Sequence, residues 1–280
     1  MKKIRSLLII VACLCFTSCV SDIHEIASDL LSIAGDHSGS GKTKQVPAYT
    51  NDEAVSAMKD ALEEGIKFAS TQLSQKDAYF KNAAIKILLP PEAEPILNVL
   101  TKLPKGQNLV DDVVLRLNRT AEEAAKDTVS IFVKAIKGMT VIDGIKIVTG
   151  SKNAATQYLK DKCYDELVAL YSPKINTVLD KPLVMNVSAN QAWTTLVTTY
   201  NKYGEYPNQI ARLARQKEPC PKVEVNLAKY ATQKALDGLF LKIEEEEAKI
   251  RENPLKYASQ MIQKVFNYVK LGITTITVRA

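Results

Sequence analysis

The sequence predicts an all-α protein: one multi-helix domain of about eight to ten helices, with room for a short C-terminal β-ribbon. Three observations carry this. Apolar residues recur at three- and four-residue spacing along most of residues 50–270. Helix-start signals stand where those runs begin, at Thr50–Glu53, Ser188–Gln191 and Asn253-Pro254. Strand-type alternation is confined to Gly272–Val278, with Val223-Glu224-Val225 as a short candidate partner.

At the N-terminus, Met1-Lys2-Lys3-Ile4-Arg5 forms a basic lead. Leu7–Phe16 follows as an uncharged apolar stretch. Its ten residues fall short of the roughly 20 needed to span a bilayer but suit a signal peptide. Phe16-Thr17-Ser18-Cys19 then places two small residues before a cysteine and is similar to a bacterial lipobox, with Phe16 where Leu is usual. The expectation is a lipoprotein signal over 1–18 and an acylated Cys19, whose chains would hold the protein on a membrane. Val20 after the cysteine gives no reason for inner-membrane retention, so the periplasmic face of an outer membrane is expected. Cleavage would remove three cations and no acid, lowering the net charge from +6 to +3, so basicity does not argue for nucleic acid.

Residues 19–49 read as anchor and tether. Ile23, Ile26, Ala27, Leu30 and Ala34 fall at helical spacing, and a Gly/Ser-rich polar run follows from Gly35. Gly39-Ser40-Gly41-Lys42-Thr43 ends like a phosphate-binding loop. The required glycine is Asp36, however, no strand pattern precedes the run, and nucleotide binding is not expected.

From Thr50 the periodicity is helical. Val55, Met58, Leu62, Ile66 and Ala69 make one stripe. Ile85–Leu89 is expected to be extended and is broken by Pro90-Pro91, with a helix from Glu92 to Leu103. Leu109 to Ile136 marks one long helix or two end to end. Thr140–Asp143 caps another, stopped at Gly150. Ser151 opens the next, with Ala155, Tyr158, Leu159, Cys163, Leu167 and Tyr171 inward. Ser188 opens a helix carrying Trp193, Leu196, Val197, Tyr200 and Tyr203. Two further helices are expected, over about 226–252 and from Pro254 to Lys270, before the strand-like tail at 271–280.

Asn118–Ala125, Ile131–Val141, Ala154–Tyr158, Tyr230–Phe240 and Glu245-Glu246 with Ile250–Pro254 resemble, in that order, the domain-of-unknown-function 4197 family. The resemblance covers about Thr50 to Tyr268. It implies a predominantly helical, secreted or lipid-anchored bacterial domain, and it brings no established activity and no catalytic residue. The chain departs from the pattern at Gly144, where the family favours Ala, and in its Ile/Thr-rich tail.

Chemistry has little to draw on. The two histidines, His24 and His37, lie outside the predicted domain, which disfavours His-based catalysis; no metal-ligand spacing is present, and no cofactor or metal is expected. Within Glu244–Glu247, only Glu244 and Glu247 share a helical face, with Lys249 and Arg251 following at ion-pairing distance. A solvated face is the preferred reading, against a buried Glu246–Arg251 pair hinted at by the resemblance. Cys163 and Cys220 are a candidate disulfide in an oxidising compartment, against two separate thiols. Tyr158, Tyr200 and Tyr203 are a candidate partner surface, against rings that fill a core. The favoured function is a non-enzymatic envelope lipoprotein that binds a protein partner or hydrophobic ligand in an apolar interhelical groove. The alternative is a periplasmic hydrolase or transferase without His, which requires carboxylates such as Asp143, Glu166 or Asp237 to converge in a deep pocket.

Overall fold

The computed structural model describes residues 43–279. The expected signal, the acylated Cys19, the segment 20–34 and most of the phosphate-loop look-alike lie outside them. Among the described residues the order is β1 (Thr43–Pro47), α1 (Asn51–Leu73), α2 (Glu94–Leu100), α3 (Gly106–Ala125), α4 (Thr128–Gly138), α5 (Gly144–Val148), α6 (Ala154–Leu179), α7 (Ala189–Leu213), α8 (Leu227–Glu252), α9 (Gln260–Leu271) and β2 (Thr275–Arg279). The all-α class is therefore seen, with one two-stranded ribbon.

The ribbon pairs β2 with β1, not with Val223–Val225, which form no strand. The tether expected over 19–49 therefore gives way to strand at Thr43. Its last two residues, Ala48 and Tyr49, are buried, and the Ala48 amide donates to the Thr274 carbonyl at 3.0 Å. Val223–Val225 carry too few residues between Pro221 and the start of α8 to hold a ladder, which explains the misassigned partner.

Local signals explain most helix limits. Thr50 and Glu53 form a reciprocal capping box on α1, as Ser188 and Gln191 do on α7. Asp143 accepts the Lys146 amide at the start of α5, and Ser259 accepts the Ile262 amide at the start of α9. The helix expected from Pro254 is instead a single 3₁₀ turn over Pro254–Lys256 followed by α9, because the Ser259 cap restarts the chain. A 3₁₀ turn at Pro91–Ala93 likewise precedes α2, which ends at Leu100, short of Leu103. The long apolar run over 109–136 is two helices, α3 and α4, parted at Lys126-Asp127.

The core centres on α1 and α8, which make the most extensive helix pair. Helix α6 lies against α8, while α4, α5 and α9 surround α1. Gly65 allows the central crossing, since a Cβ there would stand 2.9 Å from Ile243 Cγ2. Gly144 explains the departure noted in the sequence: its amide donates to Asn51 Oδ1 at 2.8 Å, and a Cβ would meet the Val55 amide nitrogen at 2.7 Å. Helix α7 packs on α3 and α2, away from the central pair, and this peripheral seat positions the site described next.

Candidate functional site

Buried polar groups are the first place to seek chemistry, because each must be hydrogen-bonded or functional. Glu247 is wholly buried on α8. Its carboxylate accepts the Ala155 and Thr156 amides at 3.0 and 2.8 Å and the Thr156 hydroxyl at 2.6 Å. Glu247 thus caps α6 from another helix. Arg251, one turn further on, donates to Glu247 at 2.7 Å and to the Val148 and Ile147 carbonyls, closing the C-terminus of α5. The solvated face expected for the glutamate run is corrected here: Glu246 and Glu247 are buried, and Arg251 pairs with Glu247, not Glu246. Glu246 instead accepts the Tyr257 hydroxyl at 2.7 Å, and burial, followed by this contact, pushes the phenol well above its ordinary range. Glu244 accepts from Asn153.

The second set lies on α3 and holds the irregular stretch 74–90. Asn118 accepts the Ile87 amide at 2.9 Å and donates to the Ile87 carbonyl at 2.7 Å, as a neighbouring strand would. Glu122 accepts the Tyr79 and Phe80 amides and pairs with Arg119 at 2.6 Å. Arg116 donates to the Val184 and Val187 carbonyls, clamping a tight turn whose Met185 and Asn186 both have positive φ. The family-like blocks around 118–125 and 245–254 are therefore rich in side chains that replace missing backbone partners.

Arg119 also pairs with Asp77 at 2.6 Å. Lys81 and Arg119 bonded to this carboxylate hold its pKa down to about 2, against an ordinary 3.8. The sign follows: stabilisation from a depressed carboxylate is full above 3.8 and disappears as pH falls through about 2. Asn tolerates the positive φ at position 77. The melting-temperature gap between the wild-type chain and Asp77→Asn is thus expected to be constant at neutral pH and to close between 3.8 and about 2. A gap that persists at the acid end would contradict the pairing.

The carboxylates named for an acid–base site have no common partner. Asp143 caps α5, Asp237 pairs with Lys234, and Glu166 is exposed on α6. Among the described residues no three His, Cys, Asp or Glu side chains come within metal-holding reach. Cys163 and Cys220 are free thiols, not the bridge considered from sequence. Cys163 is buried in the core face of α6, while Cys220 lies beside α7, its amide and carbonyl held by the Asn208 side chain.

The three tyrosines do not make one surface. Tyr200 is fully buried, its hydroxyl donating to the Pro221 carbonyl at 2.9 Å. Tyr158 is half-buried and donates to the Thr140 carbonyl. Tyr203 alone is open, at 51% exposure, and it lines a cleft. That cleft, of about 290 Å³, lies where the α2–α3 connection meets α7. Leu100, Leu103, Pro104, Leu109 and the Tyr203 ring form its apolar wall, Asn108 and Thr199 are its neutral polar side chains, and Lys105 is the one titratable cation on it. Its size sits at the lower end of small-ligand sites, which run from roughly 300 Å³ upward. Sequence reasoning missed Leu100, Leu103 and Leu109 as site residues because a leucine on a helix reads as core. The only local mark in the sequence is the Pro104-Lys105-Gly106 break between two apolar runs; in the fold Lys105 has positive φ there, between α2 and α3.

The comparisons agree with the resemblance seen in the sequence. A family described as protein of unknown function (DUF4197) matches residues 48–267. No curated protein and no solved structure matches the chain.

Proposed function

From the premise that this chain belongs to the DUF4197 family of proteins of unknown function, we propose that it is a lipid-anchored extracytoplasmic binding module without enzymatic activity. Cys19 carries the anchor, and the helical domain takes a hydrophobic ligand or the apolar segment of a protein partner in the cleft between the α2–α3 connection and α7. The observation that carries this reading is the lining of the cleft: three leucines, a proline and the Tyr203 ring beside Asn108 and Thr199, with Lys105 as its single charge. An apolar slot with one cation at its edge suits an amphiphile whose tail enters and whose anionic end stays outside. The buried carboxylates support the same choice, because Glu122, Glu246 and Glu247 are each engaged by amides, hydroxyls or cations and hold the fold.

A fluorescent long-chain fatty acid tests the proposal. Thr199→Trp places an indole in the cleft from a half-buried helical position. It is expected to weaken probe binding about tenfold or more, since the ligand loses burial worth over about 1.4 kcal/mol, with the unfolding midpoint unchanged. Equal probe affinity in the wild-type and Thr199→Trp chains would remove the cleft from the account.

A further inference from the structure

Beyond the cleft, α7 continues as an open apolar stripe. Tyr203, Tyr206, Ile210 and Leu213 are 51, 71, 48 and 82% exposed. Spacings of three, four and three residues put all four on one side of the helix. The other side is occupied: Gly204, Asn208 and Ala211 are buried, and Asn208 holds the backbone of Cys220 in the Pro219–Pro221 loop. The helix is thus braced from behind, with its stripe turned outward and joined to the cleft through Tyr203.

What covers the stripe follows from its size and its charges. Four such side chains offer on the order of 500 Å² of apolar area, large for an isolated surface patch. A second copy seated on the same stripe about a two-fold axis would set Lys202, Arg215 and Lys217 against the same three cations, which argues against it. Lys202, Arg215 and Lys217 are exposed around the stripe and make no ion pair among the described residues, whereas Arg212 is paired with Glu218 at 2.9 Å. Glu205 is the one acid in the stretch without such a pair. Two tyrosines, two aliphatic side chains and a basic surround match the interface of an anionic bilayer. Reach is no obstacle: residues 20–42 separate Cys19 from β1 and span at most about 80 Å, against a domain about 45 Å across.

We propose that the Tyr203–Leu213 stripe of α7 is a second membrane contact, seated in the headgroup region of an anionic bilayer, which brings the mouth of the cleft to the lipid surface. This rests on the lipid-anchored reading above. The acylated full-length chain, with Cys163→Ala, Cys220→Ala and Ile210→Cys, is labelled at position 210 with an environment-sensitive fluorophore and reconstituted in vesicles with or without 30% phosphatidylglycerol, roughly the range in which surface charge acts strongly. On the anionic vesicles, emission at 210 is expected to shift to the blue and to be quenched by headgroup-labelled nitroxide lipid, while a label at Glu166→Cys shows neither. Removing Lys202, Arg215 and Lys217 together is expected to reduce the docked fraction, by roughly fivefold in equilibrium constant per cation. Unchanged emission at 210 on both vesicles overturns the proposal. A blue shift without vesicles that grows with protein concentration also overturns it, in favour of a second copy. Flotation on the vesicles without phosphatidylglycerol, lost in Cys19→Ala, reports the anchor separately, so failure of the anchor and failure of the stripe are distinguishable.

Discussion

Replacing Glu247 by Ala is expected to lower the free energy of unfolding by about 3–5 kcal/mol, the cost of breaking a buried charge pair by removing one partner. The size follows from what the carboxylate holds. Two α6 amides, the Thr156 hydroxyl and the Arg251 guanidinium all converge on it, and none of its own surface reaches water. Alanine leaves the first turn of α6 without its cap and Arg251 with carbonyl partners but no counter-charge. Glu247→Gln keeps the volume and one acceptor oxygen, and its expected loss is smaller. Urea unfolding measures both as a shift in midpoint at unchanged slope. If Glu247→Ala kept wild-type stability, the residue could not be the structural clamp described here and its burial would demand a chemical role.

Asn118→Leu is the second large effect, at about 3 kcal/mol. Leucine preserves the volume but strands the Ile87 amide and carbonyl, each buried polar group costing about 1–3 kcal/mol when left unpaired. Asn118 also donates to the Val114 carbonyl at 2.7 Å on its own helix, and that carbonyl keeps its helical setting. The damage is therefore centred on the stretch 74–90, where trypsin cleavage after Lys81 and Lys86 should accelerate before the helical core opens. Unchanged cleavage there would show that the stretch is held by Tyr79 and Tyr230, whose hydroxyls donate to the Ala235 and Leu88 carbonyls.

These two residues also show what a sequence discloses and what it hides. Helices with a strong local start, such as α1 behind Thr50 and α7 behind Ser188, were legible because the cap and the apolar period agree within a few residues. Strand β2 was legible by its alternation, but its partner was not, since Thr43–Pro47 lies over 200 residues away in a run that reads as tether. The same limit applies to Asn118 and Glu247. Nothing local tells an asparagine on a helix that an irregular segment will cross it, or a glutamate in an acidic run that it will cap another helix. The cleft was hidden for a related reason: its lining comes from the α2–α3 connection and from α7, and only the fold brings them together. Tyr203 was visible as one tyrosine among several, and the difference between it and the buried Tyr200, three residues away, is set by which side of α7 meets α3.

The proposed ligand site is the cleft between the α2–α3 connection and α7. Replacing Tyr203 with a photo-crosslinking phenylalanine analogue in intact cells tests it at the cleft wall itself. One adduct of discrete mass is expected at position 203, absent when Thr199→Trp fills the cleft and absent from the same analogue at exposed Glu166. Adducts at 203 that match those at 166, or that persist with Thr199→Trp, would contradict it.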